Sequence, residues 1–299
     1  MNSRRLLVIL GILIWSAVAL TASPRVLGPR QGSLTVTSSD DDLASTCSDL
    51  RMRFSDREAV VQSEERSIPK AEAPTLRVIA ESNGGVQVQG GSGDAYSVTL
   101  CKAAERDAEA VLSQIHLSFR NGELGITGPS SHTRWTAHLL IRAPKAASLD
   151  ISMNNGPLRL HNVDGKLKIR SENGPVTVGE CSGELELSSQ NGPLTLEGNS
   201  GRQTVQTHNG PVSVSLTGDS WDGAGLEAHA TNGPITLQIP SGYRSGVILE
   251  SEGRSPFECN ASVCSQGRKT WDDDHKRIEF GSGPTVVRVS TTNGPVSVN

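Results

Sequence analysis

The chain has 299 residues, with 28 Lys+Arg against 32 Asp+Glu and a formal net charge of −4. That mildly acidic balance speaks against nucleic acid as a partner, which calls for a basic footprint. Aromatic residues make up 3% of the chain, too few for an extended sugar-stacking groove.

Residues 1–22 read as a signal peptide. Arg4 and Arg5 form a short basic start, Leu6–Leu20 is apolar apart from Gly11 and Ser16, and Ala17-Val18-Ala19 offers a small-x-small cleavage site. The run is short for a membrane span, which needs about 20 apolar residues. Membrane attachment is expected only if this segment stays uncleaved. Cleavage after Ala19 removes Arg4 and Arg5 and leaves 26 basic against 32 acidic residues, a net of −6. The expected location is the periplasm or the cell surface. Five cysteines in such an oxidising compartment predict disulfides. Cys259 and Cys264 enclose a short loop and form the first expected pair; Cys47 with Cys101 is the second. Cys181 remains, expected as a buried free thiol acting as a small hydrophobe.

Residues 23–75 are polar and poorly periodic, and read as a partly disordered linker with an ordered patch near Cys47, Leu50 and Phe54. Asp40-Asp41-Asp42 reads as a solvated loop, because no alternating calcium-loop spacing follows it. Residues 76–146 form a first β-rich unit. Leu76–Ile79, Val86–Gln89 and Tyr96–Cys101 alternate as strands. Lys102–Gln114 predicts a helix, since Ala104, Ala108, Val111, Leu112 and Ile115 share one face. The unit is expected to cap an otherwise unpaired sheet edge.

From residue 147 to 299 the chain is organised by repeats. Glycine recurs at 156, 165, 174, 183, 192, 201 and 210, every nine residues. Every second one lies in Asn-Gly-Pro, so the full period is eighteen. Apolar residues sit two and four places after each glycine: Leu158/Leu160, Leu167/Ile169, Val176/Val178, Leu185/Leu187, Leu194/Leu196 and Val212/Val214. Polar residues stand between them, which is the alternation of half-buried strands. Gln203 breaks the rule where an aliphatic is expected. The corners are Asn155-Gly156, Asn173-Gly174, Asn191-Gly192, Asn209-Gly210, Asn232-Gly233 and Asn293-Gly294. Asparagine and glycine accept turn geometry, and the proline that follows cannot donate to a ladder.

Two architectures fit: an antiparallel meander with Asn-Gly hairpins, and a β-solenoid of about eighteen residues per coil. The solenoid is favoured. It makes residues eighteen apart direct neighbours, so Leu158, Val176 and Leu194 would stack, as would the corner asparagines. Each coil would advance about 4.8 Å. These recurrent Asn/Ser-Gly-Pro/Asp corners followed by alternating aliphatics resemble the “putative adhesin”, or toastrack-type, β-solenoid domain family of exported bacterial proteins. The resemblance covers about 147–299 and, more loosely, 76–145. It implies a right-handed single-stranded β-solenoid at the cell envelope, and brings no catalytic residues with it.

Two interruptions break the beat. Five extra residues lie around Gly218–Gly223, and a longer insertion occupies 252–277. They hold Trp221 and Trp271 beside Asp222 and Asp272, the candidate binding residues for a sugar or a basic peptide. The alternative for each Trp is a cover over a coil edge. Asp272–Asp274 with His275 is a poor metal set, because consecutive residues seldom converge on one ion. Gly218-Asp219-Ser220, with His229 and His275 downstream, echoes a lipase tripeptide but interrupts a repeat. Glu184 and Glu186 supply the paired carboxylates for an alternative reading as a polysaccharide lyase or glycosidase on a β-helix.

The expected function is non-enzymatic: an envelope scaffold or adhesin-like binding module for an envelope protein or polysaccharide. No cofactor and no metal are expected. The chain ends at Asn299 on a repeat strand, so self-association through the edge of that last coil is expected.

Overall fold

The computed structural model describes residues 34–299 apart from 39–42, 55–56, 106–107, 130–133 and 282. The proposed signal peptide, the Asp40–Asp42 run and the start of the proposed linker lie outside the described residues. The fold is all-β, with one short α-helix, Ala108–Leu112, among the described residues.

The repeats build two large open sheets. One runs Leu158–His161, Val176–Gly179, Leu194–Gly198, Val212–Leu216 and Ile235–Gln238; the other runs Ser148–Asn155, Lys166–Asn173, Glu184–Asn191, Ser200–Asn209 and Asp222–Asn232. Neighbours among these strands are parallel. Leu158 pairs with Val176, Val176 with Leu194 and Leu194 with Val212. The meander would need antiparallel neighbours here and is excluded. The chain passes from one sheet to the other at each corner, and both inner faces share one apolar core. Leu158, Leu160, Leu167, Ile169, Leu185 and Leu187 are all buried. Each such side chain contributes up to roughly 1.5–3 kcal/mol by leaving water.

The Asn-Gly-Pro corner has a physical explanation in this stacking. A Cβ added to Gly174 would lie 2.2 Å from the carbonyl oxygen of Gly156, and its φ of +131° suits glycine alone. The asparagine amides form a ladder: each donates to the side-chain oxygen of the one before it. It runs from Asn293 through Asn232, Asn209, Asn191 and Asn173 to Asn155, over 3.0–3.2 Å. The proline leaves a gap, because the Gly233 carbonyl faces Pro295, which has no N–H. The Thr291 hydroxyl donates to that carbonyl instead, at 3.0 Å.

Both ends depart from the sequence reading. Thr75–Asn83 and Val86–Gly91 do not cap the stack from outside but belong to it. They pair in parallel with Ser148–Asn155 and Leu158–His161 on one side, and with Glu123–Thr127 and Trp135–Pro144 on the other. The predicted helix over Lys102–Gln114 shrinks to Ala108–Leu112. Its first residues finish strand Ala95–Ala104, which is held by Trp135–Pro144 on one edge and Val60–Pro69 on the other. Two full ladders outweigh local helical spacing. Val60–Pro69 itself lies in the expected linker. A small sheet of Leu34–Ser38, Leu50–Phe54 and Arg57–Glu58 packs over the outer face here, burying Leu50, Met52 and Phe54 against Ala103 and Leu140.

At the other end, the insertion is not a loop. Gly246–Glu252 and Phe257–Cys259 pair in parallel with Thr285–Asn293 and Val296–Val298. The last repeat is therefore paired on both sides and is not the open edge that was expected. His275–Phe280 and Arg268–Trp271 then close the larger sheet with antiparallel pairing.

Candidate functional site

The outer faces of the stack carry charge in register. Across the larger sheet, Asp150, Lys168 and Glu186 are successive ladder neighbours. Lys168 reaches Glu186 at 3.4 Å, Lys166 reaches Glu184 at 3.2 Å and Arg170 reaches Asp150 at 3.3 Å. The two glutamates considered as a glycosidase pair are thus each engaged by a lysine on an exposed face.

The lipase-like tripeptide does not assemble. The Ser220 hydroxyl donates to Asp219, and Asp219 pairs with Arg244 at 2.5 Å. His229 bonds Ser290 at 2.9 Å on the sheet face. Asp272 is a turn residue: its carboxylate accepts the backbone N–H groups of Asp274 and His275 at 3.1 and 2.7 Å. It shapes the hairpin tip between Arg268–Trp271 and His275–Phe280.

The two tryptophans part company. Trp221 is 6% exposed and its indole N–H donates to the Gly201 carbonyl at 3.0 Å. It seals a coil edge, and Asp222 beside it begins a strand with its N–H bound to the Asn199 carbonyl. Trp271 is 50% exposed. Its ring centroid lies 5.8 Å from that of Phe257, and the Lys269 ammonium stands 5.7 Å from the same ring. Strand Phe257–Cys259 is the outermost of one sheet and Arg268–Trp271 the outermost of the other. The aromatic pair therefore bridges the two sheet ends, a juxtaposition no local sequence signal announces.

The disulfides are Cys47–Cys101 and Cys259–Cys264, the two expected pairs. The first staples the small sheet to the outer face; the second braces the Phe257 end. Cys181 is free and buried, and burial pushes its thiol up to about 11. Gln203 is also buried; its amide donates to the Cys181 and Ser200 carbonyls at 2.8 and 2.9 Å, which explains its presence among aliphatics. His138 is buried without a partner for Nδ1, and burial, then Arg159, lowers its pKa to about 4. Among the described residues no cluster of His, Cys, Asp and Glu is arranged to hold a metal.

No family model and no curated protein matches the chain. Solved structures to which it is similar include a “putative cell adhesion protein” from Clostridium sporogenes, at 11% identity and TM-score 0.35, covering 80% of this chain and 99% of that one. A “putative adhesin” from Bacteroides fragilis gives 10% identity and TM-score 0.35 over 79% and 96% of the two chains. A “putative lipid binding protein” from Parabacteroides distasonis gives 9% and 0.29 over 80% and 97%.

Proposed function

We propose that this chain is a non-enzymatic, exported β-solenoid of about eighteen residues per coil that serves as an envelope scaffold or adhesin-like binding module. The eighteen-residue register of the parallel ladders supports the solenoid reading. The two disulfides support export to an oxidising compartment. The observation that carries the binding role is the exposed Trp271 beside Phe257 and Lys269, at an end where both sheets present outermost strands. An envelope protein or polysaccharide is the partner. Self-association through the last coil loses its basis, since that coil is paired on both sides; strand Phe257–Cys259 offers the open edge instead.

Sedimentation of the mature chain with isolated cell envelopes tests this. Trp271→Ala is expected to lower the bound fraction while leaving the melting curve in place. Equal binding by both proteins, or release of new reducing ends from envelope polysaccharide, overturns the reading.

A further inference from the structure

A cleft of about 550 Å³ lies at the opposite end, between residues 45–53 and the strands Val60–Pro69 and Ala95–Ala104. That volume is in the range of small-ligand sites. Its lining mixes apolar and charged residues with hydroxyls, among them Ser45, Ser48, Ser63 and Thr99, and one amide, Gln62. None of its lining residues is aromatic. Arg51 and Arg53 stand on one wall. Leu50–Phe54 alternates buried and exposed residues, so the two arginines share a face, about 7 Å apart along the strand. Arg77, Arg170, Arg244 and Arg277 sit in ion pairs. Arg53 lies opposite Glu58 on the neighbouring strand, and Arg51 opposite Thr37.

The cleft is built before any ligand arrives. Cys47 lines it and is bonded to Cys101, so the wall is tied covalently to the strand that carries Thr99. A fixed wall lowers the ordering cost of binding. Glu65 also lines it, a carboxylate suited to accept from ligand hydroxyls.

We propose that this cleft binds an acidic saccharide, a short stretch of polysaccharide bearing carboxylate or sulfate groups. Guanidinium groups match such anions through paired, charge-assisted hydrogen bonds. The hydroxyls and the Gln62 amide suit sugar hydroxyls and ring oxygens. Without an aromatic platform a neutral sugar has nothing to stack on, so charge decides the class. An extended acidic peptide fits less well. Strand Leu50–Phe54 is paired along its length with Leu34–Ser38, and on its other edge the Met52 carbonyl already accepts the Ala59 N–H. The site is independent of the Trp271 end and goes beyond the function proposed for it.

Calorimetric titration of the full mature chain with oligogalacturonate, a heparin-derived oligosaccharide, neutral dextran and poly-glutamate tests the proposal. Binding to one or both acidic saccharides is expected, weakening as salt rises, with the carboxylated and sulfated arms identifying the group preferred. Combining Arg51→Ala and Arg53→Ala should weaken it at least about tenfold, by loss of two charge-assisted contacts. Both residues are exposed, so an unchanged melting curve will confirm that the variant folds. Trp271→Ala should leave this binding intact, which separates a failure here from a failure of the Trp271 reading. Equal affinity in the double variant, equal binding of dextran or poly-glutamate, or no binding to either acidic saccharide overturns the proposal.

Discussion

The middle of the molecule and its two ends extend the same sheets by different rules. Between Ser148 and Leu216 successive strands of each sheet pair residues eighteen apart. At each end a strand pair from elsewhere in the chain is slotted in. Thr75–Gly91 stands between the repeats and Glu123–Pro144; Thr285–Val298 stands between the repeats and Gly246–Cys259. The difference teaches where the difficulty of a stacked fold lies. Any inner strand is satisfied by a neighbour like itself, but the first and last expose unpaired N–H and C=O groups that invite aggregation. Antiparallel strands close most of those edges here: His116–Arg120 and Ala95–Ala104 with Val60–Pro69 at one end, His275–Phe280 with Arg268–Trp271 at the other.

The sharpest way to break the middle is at a corner. Gly174→Ala should cost about 3 kcal/mol or more, because φ is +131° and the Gly156 carbonyl stands 2.2 Å from the new Cβ. Gly198→Ala is the control: nothing lies within 4 Å of its Cβ position, and a change of about 0.5 kcal/mol or less is expected in urea unfolding.

The N-terminal end should reveal itself through pH. An unfolded chain protonates His138 near pH 6.5, while the folded one does so only at about 4. Stability is therefore fully present above about pH 6.5 and falls as the pH drops towards 4, by roughly 3 kcal/mol in all. His138→Leu should flatten that part of the stability curve. A variant that keeps the full slope assigns it to other groups.

The slotted coil at the far end can be tested by coupling. Asn232 and Asn293 are 61 residues apart, yet their amides meet at 3.0 Å. A double-mutant cycle to Ala should give a coupling of about 0.5–1 kcal/mol for this pair. Asn209 with Asn293, one coil further apart, should be additive within about 0.5 kcal/mol. Additivity in both cycles would remove Thr285–Asn293 from its slot.

The smallest effect belongs to the outer face. Lys168→Ala should cost about 0.5 kcal/mol or less, shrinking in high salt, since its ion pair with Glu186 is exposed. Cys181 supplies a kinetic counterpart. Its buried thiol, raised to about 11, should resist a thiol reagent until the chain unfolds, and fast labelling of the native protein would contradict its position in the core.

Much of the middle was legible because its neighbours are close in sequence. The nine-residue glycine beat, the aliphatics two and four places on and the asparagine corners each name their own partner eighteen residues away. The Cys259–Cys264 pair could be read from its short loop; Cys47 and Cys101 lie 54 residues apart, and only the fold brings them together. The binding reading was only half legible. Trp221 and Trp271 look alike in sequence, each beside an Asp, and only packing separates a coil-edge plug from an exposed ring. The Arg51/Arg53 cleft was invisible, because its walls come from residues near 45–53, 60–65 and 99, and nothing local marks them as neighbours.

By itself, then, the order of residues determined the period, the inward and outward faces and the corner chemistry, all of which rest on contacts repeated within each coil. The tertiary structure alone decided which strands lie at the ends, which coil is slotted between others, and which side chains are left at the surface. Those outcomes depend on closing an open sheet edge and covering its apolar face. Any strand of suitable length can meet that requirement, so the choice is made by the whole fold and leaves no periodic trace.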